Sequence, residues 1–476
     1  MKKEWLSLWV AALLGSVAAA ATGGGAPAGA PVAFIHVAVV HPERESGNAV
    51  DPDQTVVIRG DRIEKLGPAA STSVPAGALV IDGSGKWLIP GLIDAHVHFF
   101  QSGNPYTRPD AANLTAVVPY ASEVARNKAR LPATFKVWIA SGVTSVVDIG
   151  GPMWNFDMRD AARTAAIAPA VAVAGPLISM IADPPLELND PPIIRASTAA
   201  EGTALVERDL ARHPDYIKVW FIHEPGTDLA AQEAIVRAVG DAAHHAGVPL
   251  AVHATELETA KAALRAGADY LVHSVEDVPV DAEFLALMKH NKALYCPTLW
   301  VGPGYDYMFA GLWRPTDAER RLADPQVLAM MVDMRTLPDD KVPERVRRLR
   351  TAGKEPPPVT TLLNNLKTVY EAGIPVVMGT DAGNIGTLHG PSVFREMSLM
   401  QQAGLTPIQV LRAATTVGAR AARREKEAGV IAVGRAADLV LLDADPTADI
   451  ANASRIYRVV RAGRVYNPDE LIASIK

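Results

Sequence analysis

Apolar positions along the chain follow two rhythms. Between residues 88 and 379, eight short apolar runs alternate with Ala-rich stretches long enough to form helices; the runs lie at 88–98, 143–149, 168–174, 216–221, 249–254, 270–273, 292–295 and 375–379. Such runs are apolar at nearly every position, the pattern of strands covered on both faces, and every connection has room for a helix. The alternation predicts an α/β fold with a parallel sheet, and eight strands suit a (β/α)8 TIM-like barrel. The stretch 256–266 is one connecting helix, stopped by Gly267. An open doubly wound sheet gives the same alternation, so the placement of polar residues has to choose between them.

The second rhythm belongs to the chain ends. Short β-rich runs at 32–40, 55–59 and 78–81 are separated by the turn signals Arg59-Gly60-Asp61 and Asp82-Gly83-Ser84-Gly85. The same style returns at 437–443 and 456–464. These runs predict a small β-sandwich domain built from both ends, 32–89 and 429–470, around a barrel of residues 90–428. Residues 302–358, between the seventh and eighth runs, are too many for a simple connection; an insertion of this size predicts structure of its own and a lid over the barrel.

The first residues read as an address. Lys2 and Lys3 precede the apolar run from Trp5 to Val17, and small residues follow through Ala21. This is the pattern of a signal peptide, 1–21, cleaved near Ala20 or Ala21, with a Gly/Ala/Pro-rich linker at 22–31. An uncleaved anchor is the competing reading, but the run is shorter than the roughly 20 residues a spanning helix needs. The expectation is an exported protein, periplasmic or secreted, with no stable membrane insertion after cleavage.

Charge and cysteine content narrow the chemistry. With 46 Lys plus Arg against 52 Asp plus Glu, the net charge is −6, which argues against nucleic-acid binding driven by charge. The single cysteine, Cys296, excludes an internal disulfide framework and a thiolate zinc cluster, and is read as a buried small hydrophobe. Any metal must therefore be held by His, Asp, Glu or Lys.

Those residues fall at strand ends. His96 and His98 close the first run and, two apart on a strand, face the same side. Lys218, His253, His273 and Asp381 close the fourth, fifth, sixth and eighth runs. Barrel active sites are built at that face, and imidazole with carboxylate suits zinc and neighbouring divalent ions.

Gly91-Leu92-Ile93-Asp94-Ala95-His96-Val97-His98, Lys218 in Tyr-Ile-Lys-Val, His253 in Val-His-Ala, His273 in Val-His-Ser and Gly379-Thr380-Asp381-Ala382-Gly383 together resemble the amidohydrolase superfamily, nearest its imidazolonepropionase-like and prolidase-like members. The resemblance covers nearly all of the chain after the signal. It implies two divalent metal ions, Zn2+ first among them, held by His96, His98 and Asp381 and by His253 and His273. It also implies that Lys218 is carboxylated and bridges the two ions. The implied reaction is attack of a metal-bound hydroxide on the carbon of a small substrate's amide or peptide-like C–N bond, with Asp381 as general base and acid.

Two rival functions stay open at this level. His253-Ala254-Thr255-Glu256 resembles superfamily deaminases that use one metal and a glutamate, although Glu256 also reads as an ordinary acid at a helix start. A ligand-binding barrel without turnover is the third reading. Candidate substrate contacts are Trp220, His223, His389 and Tyr305, with Tyr307, Trp154, Arg395 and Glu396 further out. The expected partner is a small molecule, and a homo-oligomer is compatible with the chain.

Overall fold

The computed structural model describes residues 30–476 other than 46, 182, 183 and 187. The expected signal peptide and nearly all of the linker lie outside the described residues.

The chain ends do share a sheet. β1 (Val32–Val40), β2 (Val50–Arg59), β3 (Arg62–Pro68), β4 (Leu79–Asp82) and β5 (Trp87–Pro90) are its first five strands. β5 pairs antiparallel with a strand from the other end, Leu439–Leu442, which pairs in turn with Ile456–Arg461 and that with Arg464–Tyr466. All eight belong to one hydrogen-bonded sheet, where two facing sheets were expected. The reason lies in β1, which pairs β4 through residues 32–35 and β5 through residues 38–39, changing partner across the left-handed His36. Val37, Val39, Val56, Leu88, Leu439 and Val460 meet in the core of this unit.

The expected run 88–98 is two strands. Gly91 separates β5 from β6 (Leu92–Val97) and donates its N–H to Asp438, a residue of the terminal sheet's far arm. Nothing but glycine fits there, since a Cβ would lie 2.2 Å from the Thr144 hydroxyl. β6 runs parallel to β7 (Val143–Asp148), and β7 to β8 (Ala170–Val173). A six-stranded parallel sheet follows, from β9 (Leu177–Ser179), β10 (Ile193–Arg195), β11 (Ile217–Trp220), β12 (Leu250–His253), β13 (Tyr270–Val272) and β14 (Leu294–Cys296), in the order β10-β9-β11-β12-β13-β14. β9 and β10, only three residues each, give no apolar rhythm of their own.

The eighth expected run, 375–379, makes only one isolated bridge, Tyr295 with Val376, and a second, Val97 with Ala382, follows just beyond it. Pro375 has no N–H to give, and the Met378 N–H goes to Ala413, so a regular ladder cannot form. The segment nonetheless lies between β14 and β6. Ile93, Val147, Ala172, Ala251, Val272, Cys296 and Val377, one from each of seven strands or extended runs, meet in one buried cluster.

Helices fill the connections: α1 (Tyr120–Ala140), α2 (Trp154–Thr164), α3 (Ala199–Leu210), α4 (Leu229–His245), α5 (Leu257–Arg265) and α6 (Ala282–Asn291). The insertion is helical too, with α7 (Val301–Phe309), α8 (Asp317–Leu322), α9 (Pro325–Met330), α10 (Asp333–Thr336) and α11 (Glu344–Ala352) packed on their own core of Met308, Phe309, Trp313, Met334 and Val346. Thr316 and Glu319 form a capping box on α8, and Arg395 clamps Glu319 at 2.6 and 2.7 Å. Among the described residues no helix is long and apolar enough to cross a membrane.

Candidate active site

Strand alternation aims the site. Tyr216, just before β11, fills the interior, and Lys218 and Trp220, two and four residues on, line the cavity above it. Ala251 and His253 repeat the arrangement on β12. His273 and Asp381 sit just beyond their strands with φ of 83° and 60°, a left-handed backbone that non-glycine residues seldom adopt and that clusters at functional sites.

Asp381 is where these side chains converge. Its Oδ1 lies 3.0 Å from His98 Nε2 and 3.3 Å from His96 Nε2, and its Oδ2 lies 3.9 Å from His273 Nε2. The His253 and His273 rings are 4.3 Å apart, centre to centre, and the His96 and His273 rings 4.8 Å. Lys218 and His253 line the same cavity as His98, His273 and Asp381. The structure thus brings together all six residues expected there.

Burial sets their protonation. It pushes His96, His253 and His273 well below the ordinary imidazole range, and the neighbouring imidazoles and Lys218 push the same way. Burial also pushes the Lys218 amine down to about 7, against the pull of Asp381. The three imidazoles are therefore neutral at neutral pH, and much of the lysine is an uncharged amine. His98 Nδ1–H donates to the Gly150 carbonyl at 2.6 Å, which turns Nε2 towards Asp381. His273 Nδ1 is likewise held by the Thr298 hydroxyl, at 2.7 Å. Neutral, pre-aimed nitrogens beside a carboxylate suit a divalent cation; ligand atoms of His96, His273 and Asp381 all lie within 4.8 Å of one another.

The cavity over these residues has a volume of about 460 Å³. Trp220 and Tyr305 line it as expected, and α7 and α11 of the insertion form part of its wall through Tyr305, Asp306 and Arg345. Several expectations fail. His223 does not line the cavity; its Nδ1 is held by Gln232 and Thr227. His389 is half-buried behind the site, stacked on Phe99, with its Nε2–H donated to the His98 carbonyl, and it does not line this cavity. Arg395 is spent on Glu319, and Glu396 accepts the Leu299 and Trp300 N–H groups, fixing the turn into α7. Tyr307 stacks on Trp300, and Trp154 is buried outside the cavity. Glu256 is exposed at the start of α5 and absent from the cavity wall, which leaves the one-metal deaminase without its proton carrier. Cys296 is fully buried, as expected.

Sequence reasoning missed three residues. Asp94, two before His96, accepts the His96 N–H at 3.2 Å and both the N–H and hydroxyl of Thr380. Its spacing from the histidine pair was the available signal. Arg108 and Asn384 line the cavity from loops with no periodic pattern, and nothing local marks them.

Comparison with known proteins gives the family. The Amidohydrolase family matches residues 87–466, and the chain belongs to that family. It is 26% identical over 451 residues to the imidazolonepropionase of Arthrobacter sp. (strain FB24), covering 88% of this chain and 96% of that one. A shorter match, 36% over 80 residues, is to the dihydroorotase of Trichlorobacter lovleyi; it spans only 16% of this chain and 18% of that enzyme. A solved Xaa-Pro dipeptidase with bound methionine superposes with a TM-score of 0.69 at 23% identity, covering 92% of this chain and 100% of that one. The protein has the TIM-like α/β fold of this family and is a hydrolase of carbon–nitrogen bonds that belongs to a metal-using family.

Proposed function

We propose that this chain is an exported amidohydrolase that cleaves an amide or peptide-like C–N bond of a small substrate within a closed (β/α)8 barrel. The observation that carries the reading is the convergence of His96, His98 and His273 on Asp381 beneath a cavity that Lys218 and His253 also line. In this reading His96, His98 and Asp381 would hold one divalent ion and His253 and His273 the other, with carboxylated Lys218 as a further ligand. Zinc is the first candidate, because the donors are nitrogen and oxygen. Such ions, when bound, make water more acidic and polarise a carbonyl.

The chain's own groups do the rest. Asp381 takes a proton from the attacking water and passes it to the leaving nitrogen. Trp220 and the Tyr305 side of the insertion confine the substrate and restrict water. The dipeptidase and imidazolonepropionase relatives support a panel of dipeptides, N-acyl amino acids and cyclic amides.

The test is the metal content of the purified mature chain by mass spectrometry, with Lys218→Ala in parallel and the panel assayed on both. The expected result is about two divalent ions per chain, falling sharply in the variant together with turnover. One ion, indifferent to Lys218, overturns the two-metal reading. Export is tested by N-terminal sequencing of protein from the periplasmic and medium fractions, with cleavage expected near Ala20 or Ala21.

A further inference from the structure

We infer that Asn384 is a positioning residue for Asp381, and that the insertion reaches the catalytic centre through it. Asn384 is buried, and its Oδ1 accepts the Tyr305 hydroxyl at 2.7 Å and an Arg108 Nη1–H at 2.7 Å. A guanidinium has donors only, so the oxygen of the amide must face Arg108 and its NH2 must face the other way. There Nδ2–H donates to Asp381 Oδ1 at 2.6 Å and to the Asp381 carbonyl at 3.2 Å. Arg108 is itself held in place by Asp110, 2.8 Å and 3.0 Å from its Nε, and so supplies a fixed post.

The loop around Asn384 is equally rigid. Thr387 N–H donates to the Asn384 carbonyl, Gly383 N–H to Thr387, and Gly386 N–H to Gly103. Gly383 lies so close to the His98 carbonyl that a Cβ would come within 2.4 Å. Asp381 is therefore held in its left-handed conformation with one oxygen tied to Asn384, which leaves Oδ2 as the oxygen free of the amide. Tyr305 lies on α7, the first helix of the insertion, so its hydroxyl spends itself on the catalytic loop. The insertion is thus a brace on the acid-base residue as well as a wall of the cavity.

This inference rests on the role proposed for Asp381, and three measurements keep the two apart. Thermal unfolding of the metal-free full chain compares Tyr305→Phe, Asn384→Ala and the double variant. Losing the tyrosine hydroxyl should lower the melting temperature in the parent and have little further effect beside Asn384→Ala; additive shifts overturn the link. Cobalt-loaded protein is then challenged with EDTA. Asn384→Ala should release cobalt severalfold faster and Tyr305→Phe less so; unchanged release overturns the positioning role. On the best amide of the panel, Tyr305→Phe should lower kcat about tenfold with KM within about twofold. A raised KM with unchanged kcat makes Tyr305 a substrate contact and overturns the brace. A panel without turnover counts against the amidohydrolase substrate class, while unfolding and cobalt release still decide the link.

Discussion

The Asp94 carboxylate accepts the Thr380 hydroxyl at 2.6 Å and the Thr380 N–H at 3.0 Å, joining residues 286 positions apart. One carboxylate thereby ties the strand that delivers His96 to the segment that delivers Asp381. Burial pushes Asp94 up to about 7, so its hydrogen bonds stand in for water it has lost.

Asp94→Ala should orphan three buried donors and destabilise the protein by about 3 kcal/mol or more, with loss of metal retention. Asp94→Asn keeps an acceptor for the two N–H groups and a group able to meet the hydroxyl, so it should recover most of that stability. Urea unfolding and metal analysis of both variants check this. Equal losses in the two would refute the accounting.

Lys218 offers a second test. With its amine brought down to about 7 by burial, the neutral form that reacts with carbon dioxide grows as pH rises through that value. Reconstitution of metal-free protein should be more complete with bicarbonate than without, and better near pH 8 than near pH 6. The mass of carbon dioxide should appear on the peptide carrying Lys218. Bicarbonate-independent uptake would count against a carbamate.

Close packing at Gly379 fixes His96 from behind. A Cβ there would lie 2.5 Å from Cys296 Sγ and 2.9 Å from both His96 Cβ and His96 N. Gly379→Ala should therefore cost about 1–3 kcal/mol through overpacking and shift His96 enough to weaken metal binding. A variant with parental melting temperature and metal content would show that the backbone yields freely.

Asp209 gives a pH dependence away from the site. It is buried on α3, and burial raises its carboxyl to about 6 despite its pairing with Arg208. The folded state then holds a proton that the unfolded chain gives up above the ordinary aspartate value of 3.8. Its contribution is thus present at low pH and lost as pH rises from about 4 to about 6, by at most about 3 kcal/mol. Asp209→Asn cannot titrate, so its stability relative to the parent should climb across that window and level off above it. A constant difference from pH 4 to pH 8 would refute the shift.

The sequence by itself determined the α/β class and put His96, His98, Lys218, His253, His273 and Asp381 at the ends of strands. Each is a local matter: apolar runs mark strands, period-two spacing puts His96 with His98 and Lys218 with Trp220 on one side, and strand ends collect polar residues. What only the tertiary structure decided is which polar groups meet. His389 and His223 lie next to site elements in sequence, yet packing turns one behind the His98 loop and ties the other to Gln232. Glu256 sits three residues from His253 and still faces solvent, because it begins a helix instead of continuing the strand. Asn384, Arg108 and Tyr305 come from three loops or helices spread over nearly 280 residues, so no spacing rule could have joined them. Their association is fixed by hydrogen-bond geometry that exists only once the insertion is folded against the strand ends.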